Sequence, residues 1–167
     1  VRSRRQRQMC IRDRVKNVDF DLPELHQYAV GMTFLPQKDN QRDYCIKVFE
    51  NEIQKQGLAV LGWRKVPVNK SVVGRIASQT EPYIAQVFIG KGDKTYTDHE
   101  FNVKLFIARK IAEHTIYQSK LSEANYFYLP SLSTHTLIYK GLLVPEDIEP
   151  YYTDLSDPLV VTRLALV

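Results

Sequence analysis

Four histidines, two cysteines, a cluster of hydroxyls and one close pair of acids are the residues of this 167-residue chain that could do chemistry. His26, His99, His114 and His135 stand apart, none with a second His, a Cys or a paired acid at metal-ligand spacing. Each therefore reads as a surface or hydrogen-bonded histidine. Glu113 beside His114 does not change this, because adjacent helical residues do not face each other. Ser131, Ser133 and Thr134 next to His135 have the types of a nucleophile and its base. No acid stands near to orient the imidazole, and a β-turn accounts for the hydroxyls. Asp154 and Asp157 have the types of a general acid and base, yet a turn before Pro158 explains them without chemistry. Gly90-x-Gly92 lacks the third glycine and the geometry of a dinucleotide site. There is no Walker loop, no Gly-x-Ser-x-Gly elbow and no His-Glu-x-x-His. Cys45 falls on the apolar face of an expected helix and reads as a buried structural thiol. Two cysteines make neither a disulfide framework nor a four-cysteine zinc site. Types and spacing assign no catalytic, cofactor-binding or metal-binding residue.

The elements that would position any site are easier to read. Residues 27–35, QYAVGMTFL, are apolar and partly alternating, a strand stopped by Pro36. Cys45, Ile46, Phe49 and Ile53 recur at helical spacing, which predicts a helix over 38–56 with Gly57 as its stop. Residues 58–66 (LAVLGWRKV) and 83–89 (YIAQVFI) read as strands, with Trp63 as a packing residue and a short helix or turn over 71–80 between them. Thr97-Asp-His-Glu100 is a capping box, since the hydroxyl can accept from the N3 amide while the acid reaches back. A helix should run on to about Gln118, with Phe101, Leu105, Ala108, Ala112 and Thr115 inward, Ile107 and Ile111 widening that stripe, and Lys104, Arg109 and Lys110 on the solvated face. Residues 125–131 and 134–142 suggest a hairpin turning at Leu132 and Ser133. A turn or short helix over 145–152 and an apolar, β-rich stretch over 159–167 complete the chain. About six strands and two sizeable helices, interleaved at first and with adjacent strands last, favour an α+β fold: a mixed or antiparallel sheet with helices on one face.

Composition narrows the class. Hydrophobic residues make up 44% and charged residues 25%, close to globular averages, so the body is not disordered. No apolar run reaches the length of a membrane span, and no signal-peptide core opens the chain. The net charge is +4. Residues 1–14 hold six arginines and one aspartate, which leaves the remainder at −1. The body therefore does not read as binding nucleic acid or membrane. The arginine-rich start could be a nucleic-acid arm, a targeting peptide or a solvated end. A fourth origin fits better: the run RRQRQMCIRD, Arg4 to Asp13, matches without a mismatch the one-frame translation of a transposase adapter used in sequencing libraries. Residues 1–14 are then a non-native, disordered tail packing against nothing, Cys10 is no nucleophile, and the native start is missing.

The body, residues 15–167, resembles the class II glutamine amidotransferases, in the form found at the N-terminus of glutamate synthase large subunits. The resemblance rests on the ordered set QYAVGMTFLP, LAVLGWRKVPVN, YIAQVFIG, EFNVKLFIARKIAEH, FYLPSLSTHTLIYKGLL and YYTDLSDPLVVTRLALV. Single pieces are weak; GWR-x-VPVN and SL-x-x-x-T-x-x-YKGLL in order are specific. The resemblance implies part of an N-terminal nucleophile hydrolase (αββα) sandwich, two mainly antiparallel sheets between helical layers. It implies a parent enzyme that releases ammonia from glutamine and delivers it to a synthase domain, where 2-oxoglutarate is aminated and reduced with FMN and an iron–sulfur cluster. The partners implied are the remaining synthase domains and a small electron-transfer subunit, in the cytoplasm or in the stroma of a plastid.

The departures weigh as much. The family's nucleophile is a cysteine that begins the mature chain, upstream of the QYAVGM strand. Its His-x-Arg-Phe-Ser-Thr-Asn-Thr segment follows a sequence like the RLALV that ends here, and its Asn-Gly oxyanion element comes later still. The resemblance thus carries no catalytic or glutamine-binding residue onto any position of this chain, and it implies an inactive piece. Cut from its sandwich, the sheet should leave one face bare. The rival readings are a non-catalytic interaction module on the same fold and another class II amidotransferase, ring-forming or asparagine-forming.

Overall fold

A computed structural model describes residues 18–24, 26–141 and 143–158. The arginine-rich start and the apolar stretch over 159–167 lie outside the described residues. Four strands form one sheet: β1 (Tyr28–Leu35), β2 (Ala59–Lys65), β3 (Tyr83–Gly90) and β4 (Tyr128–Ser133), in the order β2-β3-β1-β4. Every neighbouring pair is antiparallel. Helix α1 (Asp39–Lys55) crosses from β1 to β2, which are separated by β3. Helix α3 (Asp98–Tyr117) crosses from β3 to β4, which are separated by β1. This is the split βαβ arrangement, two crossover units interleaved in one sheet. Short α2 (Arg75–Gln79) lies between β2 and β3, and α4 (Pro145–Tyr151) follows β4. The α+β class stands, with the sheet antiparallel throughout.

The central strands are buried on both faces, and their alternation sorts two cores. Ala29, Leu35, Ala85, Val87 and Ile89 meet Cys45, Phe49 and Ile53 of α1 and Phe101, Leu105, Ala108, Ala112 and Ile116 of α3. Tyr28, Val30, Met32, Ile84 and Phe88 point the other way. The expected bare face is therefore not bare: Leu137, Tyr151, Tyr152 and Leu155 cover it, and Phe20 packs against it. Gly62 makes room for that covering. A Cβ there would lie 2.4 Å from the Phe20 ring. Pro130, which has no N–H to donate, is tolerated because β4 is an edge strand and its register with β1 shifts between Met32 and Phe34.

Helix ends follow local chemistry. Gly57, at φ 75°, closes α1: its N–H donates to the Gln54 carbonyl and the Leu58 N–H to that of Ile53. Thr97 and Glu100 form the expected capping box on α3. Three expectations are corrected. Ile116, not Thr115, completes the inner stripe of α3, and Ile107 and Ile111 are 37% and 42% exposed. Helices α1 and α3 pack side by side, so part of the arc that a lone helix would turn toward a sheet is turned outward. Among the described residues, 134–141 form no strand, so the expected hairpin is absent. The serines at its turn redirect the chain instead. Ser133 Oγ accepts from the N–H groups of His135 (3.1 Å) and Thr136 (3.4 Å), and Ser131 Oγ accepts from that of Ile138 (3.0 Å).

Candidate functional site

Cys45 is buried on α1, and burial pushes its thiol up to about 11. At neutral pH it is a protonated core group and not a nucleophile. The serines near His135 are engaged in the turn just described, so no nucleophile–base pair forms there. His99 and His114 are exposed on α3. His26 and His135, far apart in sequence, do meet, with ring centroids 4.8 Å apart and planes tilted by 42°. Linear spacing cannot show a contact made by the ends of two different strands. Among the described residues no group of three or more His, Cys, Asp or Glu side chains is placed to hold a metal.

The chemistry-bearing residues converge instead on the sheet face away from α1 and α3. Arg64 of β2 binds Asp154 with both arms of its guanidinium, Nη1 to Oδ2 at 2.9 Å and Nη2 to Oδ1 at 2.8 Å. Arg64 Nη1 also donates to Gln86 Oε1 of β3 at 3.0 Å. Gln86 Nε2 donates to the Tyr139 hydroxyl at 3.2 Å, and that hydroxyl donates to Asp154 Oδ2 at 2.9 Å. The four side chains close a ring in which each polar group has a partner. The bond to Asp154 raises the Arg64 pKa further, against a smaller lowering by burial. The expected turn is there, as a 3-10 turn over Thr153–Ser156, but the Asp154 side chain is not spent on it: its carboxylate anchors the segment after α4 to the sheet. What the sequence concealed was the partner, although an arginine and a glutamine inside the apolar strands LAVLGWRKV and YIAQVFI are a legible sign of a buried polar contact.

A second polar group lies on the same face. Glu81 is 7% exposed. Tyr151 donates its hydroxyl to Oε1 at 2.5 Å, and Lys70 Nζ lies 2.5 Å from Oε2 as an ion pair without hydrogen-bond alignment. Burial, then the bond to Glu81, drives the Tyr151 pKa far up, so its hydroxyl remains a donor. The chain beyond β2 is tied down nearby: Val68 bridges Tyr152, the Asn69 N–H donates to the Tyr151 carbonyl at 2.8 Å, and the Tyr152 hydroxyl donates to the Lys140 carbonyl at 2.7 Å. Residues of GWR-x-VPVN, YIAQVFIG, YKG and YYTDL thus meet in one place. Their geometry is that of a scaffold: an ordered, partnered network with no activated nucleophile.

An iron–sulfur cluster does not fit the described residues. A cluster needs several thiolates, and the one cysteine here is buried and apolar in its surroundings.

A family model described as "Glutamine amidotransferases class-II" matches residues 6–167. The chain belongs to the class II glutamine amidotransferases. Among curated relatives it is 40% identical over 156 residues to "Glutamate synthase [NADPH] large chain" of Bacillus subtilis, covering 93% of this chain and 10% of that one. It is 41% identical over 140 residues to "Ferredoxin-dependent glutamate synthase 2, chloroplastic" of Arabidopsis thaliana, covering 83% and 8%. It is 33% identical over 159 residues to "Glutamate synthase [NADH]" of Saccharomyces cerevisiae, covering 90% and 7%. The chain spans a tenth or less of the length of these relatives. No described helix is long and apolar enough to cross a membrane.

Proposed function

We propose that the chain is part of the glutaminase domain of a glutamate synthase. The observation that carries this is its 33–41% identity to relatives all named glutamate synthases, across bacterial, plant and yeast sources. Their names differ in electron donor, so what the chain shares with all of them is the ammonia-supplying half of the reaction. In this reading a thiolate attacks the side-chain amide of glutamine, donors stabilise the oxyanion, and the ammonia released is used to aminate 2-oxoglutarate reductively. FMN and the iron–sulfur cluster belong to the synthase part, as does any small electron-transfer subunit. The protein works in the cytoplasm, or in the stroma of a plastid-bearing source. Residues 1–14 are the non-native tail inferred above, which the genomic sequence upstream of residue 15 tests directly.

The described residues act as scaffold and not as machinery. The test is ammonia release from glutamine by three proteins: this chain, the chain preceded by a native upstream segment, and the chain extended with native sequence at both ends. Only the third should turn over, because nucleophile and oxyanion donors must both be present. One missing donor alone commonly costs ~3 kcal/mol. Cysteine-dependent turnover by the first protein would overturn this division of labour.

A further inference from the structure

The chain enters β1 beside the place where it leaves β4, because the two strands are antiparallel and Val30 lies opposite Ser133. Local hydrogen bonds hold a histidine at each of these ends. The Gln27 N–H donates to the Glu24 carbonyl at 3.0 Å, and His26 sits inside that turn at φ 70°, a conformation in which histidine is enriched among non-glycine residues. The His135 N–H donates to Ser133 Oγ at 3.1 Å. Both side chains are exposed, with ring centroids 4.8 Å apart and planes tilted by 42°. We propose that this pair binds one divalent transition-metal ion, of the kind that prefers imidazole, through a nitrogen of each ring.

Distance, ring geometry and ligand chemistry each bear on the assignment. A transition-metal ion lies ~2.1 Å from an imidazole nitrogen, and so about 3.2 Å from the ring centre. Rings with centroids 4.8 Å apart then subtend roughly 97° at a shared ion, between the octahedral value of about 90° and the tetrahedral value of about 109°. A tilt of 42° is neither the flat offset stack nor the edge-on contact that aromatic rings prefer, so ring attraction does not account for the approach. Among the described residues neither imidazole is spent on a hydrogen bond, and each exposed ring can turn about its outer torsion to present either nitrogen. Two neutral imidazoles suit nickel, zinc or copper ions and not a hard cation such as magnesium. Water completes the coordination, which places the affinity in the micromolar range. The bound ion clips the entry of β1 to the exit of β4, and a ligand held only by the folded chain stabilises the fold.

The experiment is calorimetric titration of the 167-residue chain with nickel chloride at neutral pH, in a Cys10→Ser background so that this thiol does not compete. Magnesium chloride is the hard-cation control. Nickel should bind one ion per chain at micromolar concentration, and magnesium should not bind. His26→Asn, which keeps a residue suited to positive φ, and His135→Gln should each weaken nickel at least tenfold. His114→Gln, at an exposed histidine on α3, should leave the affinity unchanged. Nickel should also raise the midpoint of urea unfolding in the parent and not in either pair variant, a readout that weak binding at single histidines would not move. No saturable nickel binding at millimolar ion, full affinity in either pair variant, or an unfolding midpoint indifferent to nickel would each overturn the proposal.

Discussion

Cys45 shows how one residue's role is set by its neighbours. It lies on the stripe Cys45, Phe49 and Ile53 that α1 presses against the sheet, and burial holds its thiol near pKa 11. A thiolate is then scarce at neutral pH, and approach is blocked. Folded protein at pH 7.5 should resist iodoacetamide at Cys45 for hours, while the urea-unfolded chain should be alkylated at the rate of a free thiol. Peptide mass mapping distinguishes the two, and rapid native labelling would contradict the burial. Gly62 is the opposite case, a residue that matters for what it lacks. Its bare Cα lets the Phe20 ring lie on β2, which gives the glycine of the GWR motif a packing reason.

At the scale of elements, α3 stands on its capping box. The Thr97 hydroxyl accepts from the Glu100 N–H at 3.3 Å, and Glu100 accepts from the Thr97 N–H at 2.9 Å. Thr97→Ala should destabilise the fold by about 1 kcal/mol, read from the midpoint of urea unfolding. The pH dependence follows from a third bond, which the variant also loses: the Thr97 hydroxyl donates to the Glu100 carboxylate at 2.8 Å. The Thr97 N–H and hydroxyl hold the Glu100 carboxyl below its usual value. A lowered folded-state pKa means stabilisation that is full above the unfolded-state pKa, near 4.3, and is lost as pH falls through the folded one. The gap between Thr97→Ala and the parent should therefore narrow in acid. Helix α3 also has an outward apolar side: Val103, Phe106 and Ile111 are 42%, 59% and 42% exposed. Periodicity alone assigned Ile111 inward, because it cannot tell which part of a wide stripe a neighbouring helix leaves uncovered.

For the whole molecule, the Arg64–Asp154 pair ties residues 137–156 to the sheet and keeps its second face covered. Removing one partner strands the other's charge in the interior, which typically costs 3–5 kcal/mol. Asp154→Ala should lower stability by about that much and raise binding of a hydrophobic dye as Tyr151, Tyr152 and Leu155 loosen. The double variant Arg64→Met with Asp154→Leu should recover most of the loss, since apolar replacement of a buried pair is often neutral. A loss below about 1 kcal/mol for Asp154→Ala, by urea unfolding with the dye as second probe, would show that other contacts carry the docking.

The sequence by itself determined the elements: strands at β1, β2 and β3 from apolar runs bounded by proline and glycine, α1 and its stop at Gly57 from helical spacing, and the α3 start from a local pair of side chains. All of these depend on residues a few positions apart, where geometry follows from the backbone. The ordered motifs also carried the family, because their sequence is what relatives share. Only the tertiary structure decided the strand order β2-β3-β1-β4, the meeting of His26 with His135, and the choice of Asp154 as partner for Arg64 and of Tyr139 as partner for Gln86, 90 and 53 positions away along the chain. Those are long-range choices. They depend on which faces the two crossover helices cover and on what remains to cover the other side, and no local pattern of residues encodes that.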